Sequence, residues 1–80
     1  MLDKAIVRSI IDMFIFLEFS EDSQIDEDVA VSQMEALAAQ LHGAPEATRM
    51  DLVEMITELA PQYGERSDFV RALPRTIGLE

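Results

Sequence analysis

Apolar residues recur along this chain at helical intervals of three and four and nowhere alternate with polar ones, so the pattern is helical from end to end. Four helices are expected, over residues 2–18, 27–41, 46–60 and, more briefly, 67–73. In the first, Leu2, Ile6, Ile10, Met13, Phe14 and Leu17 form an apolar stripe, with Lys4, Arg8 and Asp12 opposite. Continued by one and two turns, the polar stripe meets Ile15 and Phe19 instead of charges. The second half of this helix is therefore apolar nearly all round and calls for cover on more than one side.

The boundaries have chemical signals. Asp26 reads as the N-cap of the second helix, with Glu27 and Asp28 in the first turn, where carboxylates meet free backbone N–H groups. Ala30, Val31, Met34, Leu37, Ala38 and Leu41 supply its inner face, His42 stands in its last turn, and Gly43 follows as a C-terminal cap. Pro45 suits the first position of the third helix, whose inner face is Leu52, Val53, Ile56, Leu59 and Ala60. Pro61 ends or kinks it, Gly64 marks a loop, Ser67 caps the last helix and Pro74 stops it, leaving Phe69, Val70 and Leu73 to turn inward. The expected architecture is all-α: a small helical bundle of three long helices plus a short fourth, in one domain over 1–80.

Eighty residues without a cysteine have no disulfide to rely on, so the core, or a second copy of the chain, must supply the stability. The apolar opening does not read as a signal sequence or a membrane span, because Asp3, Lys4, Arg8 and Asp12 interrupt it at near-helical spacing. A cytoplasmic location is expected. Charge changes the picture most. Sixteen acidic residues against six basic ones give −10, although 49% of the chain is hydrophobic. A folded domain with so one-sided a field suits a basic partner and repels nucleic acid.

Candidate chemistry is sparse. There is no cysteine nucleophile, and the single His42 stands beside a helix-capping glycine, so the chain reads as a non-enzyme with no cofactor. Asp22, Gln24, Asp26 and Asp28 alternate as calcium-loop ligands do, but Glu27 occupies the sharp-turn glycine position and Gln33 that of the bidentate glutamate; no metal site is expected. Asp22-Ser23 is a partial match to the Asp-Ser-Leu attachment site of acyl carrier proteins, but Gln24 stands where the leucine belongs.

The acidic surface is left as the candidate binding site. One cluster is Glu18, Glu21, Asp22, Asp26, Glu27 and Asp28; the other is a ridge of Asp51, Glu54 and Glu58 on the third helix, with Met50 and Met55 beside it. Ile15, Phe16 and Phe19 adjoin the first cluster. They either complete the core, drive self-association through helix 1 or meet a partner, since aromatic side chains ringed by charge are common at interfaces.

The segment AIVRSIIDMFIFLEFSEDSQIDEDVAVSQMEALAAQL resembles the small acidic helical immunity proteins of bacterial toxin–immunity pairs. The resemblance lies in length, acidity and helical pattern over the first half of the chain. It implies a binding protein that covers or flanks the active site of a basic toxin or effector domain, its carboxylates standing in for an anionic substrate. The colicin DNase immunity proteins carry a Tyr-Tyr-Pro signature; here the single Tyr63 follows Pro61, so no residue role is carried across. The other reading of the residues is a homo-oligomeric structural or adaptor module joined through helix 1.

Overall fold

The computed structural model describes residues 2–80 and is an all-α bundle. Helix α1 spans Lys4–Phe19, α2 Glu27–His42, α3 Glu46–Leu59 and α4 Ser67–Thr76, with a 3-10 turn over Ala60–Arg66 joining the last two. Among the described residues no helix is long and apolar enough to cross a membrane.

Caps set the helix starts. The Asp3 carboxylate accepts from the Ala5 N–H at 2.7 Å, which moves the start of α1 past the expected residue 2. Asp26 caps α2 as expected, accepting from the Asp28 N–H at 2.8 Å. Pro45 is extended and precedes α3 instead of opening it. Gly43 ends α2 with φ −77°, so the left-handed cap expected there is not used.

The core is formed by α1, α3, the 3-10 turn and α4. Val7, Ile11 and Phe14 of α1 are fully buried with Ile56, Ala60, Val70 and Leu73, and Leu52 and Leu59 close around them. This corrects the expected inner face of α1. Phe14 and Leu17 do turn inward, but Ile6 and Met13 are about half exposed and Val7 and Ile11 take their place. A helix apolar on most sides has no unique inner stripe, and packing against α3 and α4 selects one. The second helix is held more lightly. Ala30 is its one buried residue, and Met34, Leu37, Ala38 and Leu41 are partly buried.

The chain between α3 and α4 departs from the expected loop. The α-helix does end at Leu59, just before Pro61, as expected, but the path continues as a 3-10 turn with Pro61 at its start, where its missing N–H costs nothing. Gly64 then kinks the path with φ 56° and ψ −123°, a conformation closed to residues with a Cβ. Nothing lies within 4 Å of where that Cβ would stand, so Gly64→Ala meets backbone strain alone. It is expected to lower stability by about 1–3 kcal/mol, read as a lower urea midpoint with an unchanged slope.

Two further expectations are revised at α4. Ser67 does not cap it: its hydroxyl donates to the Gly64 carbonyl at 2.7 Å. Pro74 does not stop it but lies buried inside it, and the helix continues to Thr76. The end comes at Gly78, φ 77°, where Leu79 N–H donates to the Pro74 carbonyl and Gly78 N–H to that of Arg75, a Schellman closure.

Candidate functional site

Six of the acidic residues line two separate hollows. The first, about 330 Å³, lies between the end of α1, the connector and α2, and is lined by Glu18, Asp22 and Glu27 over a floor of Leu17, Ile25, Ala30 and Met34. Helix geometry explains the grouping: Glu27, Ala30, Val31 and Met34 recur at three and four residues and share one face of α2. The second is a shallow recess of about 60 Å³ on α3, lined by Asp51, Glu54, Met55 and Glu58. The expected ridge therefore forms, with the buried Met55 beneath it.

The structure divides the first cluster. Glu18, Asp22 and Glu27 converge on one hollow. Asp26 is engaged as the α2 N-cap, Asp28 points to solvent in the first turn, and Glu21 is exposed where the connector turns, its N–H donating to Gln24 Oε1 at 3.2 Å. Sequence adjacency had grouped residues that the turn and the cap send in different directions.

The basic side chains are placed elsewhere. Arg8 Nη2 donates to Gln62 Oε1. Arg49 Nη1 donates to the His42 carbonyl at 2.9 Å, placing a cation at the negative end of α2. Arg71 pairs with Asp68 at 3.0 Å and Arg75 with Glu80 at 3.9 Å, both exposed. Arg66 lies 3.7 Å over the Phe19 ring. Among the described contacts none joins a basic side chain to Glu18, Asp22, Glu27, Glu54 or Glu58.

Phe19, one of the three apolar candidates, is thus occupied within the fold. Its ring also meets Phe69 edge to face, with centroids 5.1 Å apart. Ile15 packs half-buried against the core. Of the three, Phe16 is the most exposed, at 51% against 41% for Phe19.

One titrating group stands out, and it lies away from both hollows. Burial first, then the charge and hydrogen bond of Asp12, push the Tyr63 phenol above its ordinary 10.0, against the opposing pull of Arg8. The neutral phenol is favoured by folding, so the associated stability is complete below pH 10.0 and is lost as pH rises through the raised value. Ultraviolet titration should place Tyr63 ionisation above that of free tyrosine, and Asp12→Asn should bring it back towards the ordinary value.

Among the described residues no three His, Asp or Glu side chains are placed to hold a metal ion. His42 is exposed at the end of α2. Comparison with family models, with characterised proteins and with solved structures yields no match.

Proposed function

We propose that this chain is a non-catalytic inhibitor, an immunity protein of the toxin–immunity kind, acting in the cytoplasm of the cell that makes the toxin. It binds a basic toxin or effector domain through the acidic face built by Glu18, Asp22 and Glu27, with the Glu54 and Glu58 ridge as a second contact. One observation supports this reading above the others: among the described contacts none pairs these carboxylates with a basic side chain, and the five arginines are engaged elsewhere. A −10 domain that pairs no basic side chain with Glu18, Asp22 or Glu27 maintains self-repulsion in the free state. A basic partner relieves it on binding. Opposed charge speeds encounter and sets orientation, and the apolar floor of Leu17, Ile25 and Met34 lets the contact exclude water.

The test is genetic and biochemical together. The reading frame beside this one is expected to encode a larger protein ending in a basic domain. Expressed alone, that domain should arrest growth, and co-expression of this chain should relieve the arrest. Arrest that persists with both proteins present in soluble form counts against the proposal.

A further inference from the structure

The α1–α2 pair has an outer face without a single charge. On α1, Ile6, Ser9, Met13 and Phe16 follow one another at helical spacing, with Ile6, Met13 and Phe16 exposed at 56, 49 and 51%. On α2, Val29, Gln33, Ala36 and Gln40 do the same. Between the two helices runs a groove of about 410 Å³, lined by Met13, Leu17, Gln33, Ala36, Leu37 and Gln40. For a chain of 22 charged residues, a neutral strip along two sixteen-residue helices is conspicuous.

We infer that this face is where a second copy of the same chain docks, α1 and α2 of each copy forming a four-helix interface. Charge selects the occupant. Two molecules of −10 each can approach closely only where no carboxylate faces another, and this face meets that condition. A basic protein finds no carboxylate to pair with here; its ion pairs would be made with Glu18, Asp22 and Glu27, which line the other flank of the pair. The faces are well separated on α2. Glu27 and Val31 lie about 180° around the helix from Ala36 and Gln40, at 3.6 residues per turn.

Packing supports the same occupant. Helices draw most of their stability from tertiary burial, yet Ala30 is the one buried residue of α2. A second copy over the groove covers Leu37 and Met13 and gives α2 its missing contact. Each helix is about 24 Å long at 1.5 Å per residue, and two lie about 20 Å across side by side. That footprint is about 500 Å² in projection. With side-chain relief it approaches the roughly 800 Å² per partner of a standard interface.

Sedimentation velocity of the full chain from about 1 µM to about 1 mM tests this. The mass should rise to twice that of the monomer. The dimer fraction should increase as salt is raised from about 0.1 M to about 1 M, because salt screens the repulsion between copies. Met13→Glu and Ala36→Glu should each raise the dissociation constant at least about tenfold. Val31→Glu, on the opposite flank, should leave it unchanged, and far-UV circular dichroism should show all three folded. A chain that stays monomeric at about 1 mM in about 1 M salt overturns the inference without any variant. So does a dimer that survives both Met13→Glu and Ala36→Glu. Neither result touches the basic-partner proposal, whose association must weaken with salt where this one strengthens.

Discussion

Phe14→Ala should remove a large share of the fold's stability and move its urea midpoint sharply downward. Phe14 is the bulkiest fully buried side chain, enclosed with Val7, Ile11, Ile56, Leu59 and Leu73. Truncating a buried phenylalanine costs about 3–5 kcal/mol, through lost transfer energy and the cavity left behind. A domain of 80 residues has about 4–12 kcal/mol in total at ordinary stability per residue. The loss is therefore from about a quarter to the whole of what the fold has, and neither a disulfide nor a metal cluster among the described residues is there to offset it. Urea unfolding followed by circular dichroism measures it. Ile6→Ala, at an exposed position of the same helix, is the control and should change stability by less than about 0.5 kcal/mol in the monomer. Equal losses at the two positions contradict the assignment of Val7, Ile11 and Phe14 as the inner face of α1.

The second large effect is on binding. Reversing Glu18, Asp22 and Glu27 together to lysine changes the net charge by six, from −10 to −4, and turns the acidic hollow basic. Asp26 is left alone because its carboxylate caps α2, and its loss acts on folding instead. The triple variant should keep its helical signal while associating with the proposed basic partner at least about a hundredfold more slowly, since steering acts chiefly on the encounter. Glu54→Lys with Glu58→Lys should produce a smaller effect of the same sign. Unchanged association in both variants removes the acidic face as the binding surface.

Element positions were largely legible in the sequence. The α2 and α3 boundaries fall within a residue of those expected, because Asp26, Gly43, Pro45 and Pro61 are strong local signals. The face of α1 was not legible. Its periodicity permits several inner stripes, and only the positions of α3 and α4 decide among them. Pro74 misled for a related reason: local chemistry opposes a helix there, and burial of its ring in the core prevails. For the candidate site, the α3 ridge follows from helical spacing alone. The division of the first acidic cluster does not, because it depends on how the connector turns between Ser20 and Asp26. The contact of Phe19 with Phe69 and Arg66 is invisible in the sequence for the same reason as any pairing of distant residues: nothing local encodes it.

The claim on which the functional account rests is that unneutralised carboxylates draw in a basic protein. The most direct measurement is the association rate with the basic domain proposed to be encoded alongside, followed by stopped flow as salt is raised from about 0.02 M to about 0.5 M. The association rate should fall at least about tenfold, with the dissociation rate nearly constant. A rate that is flat across this range, or one that rises with salt, contradicts it.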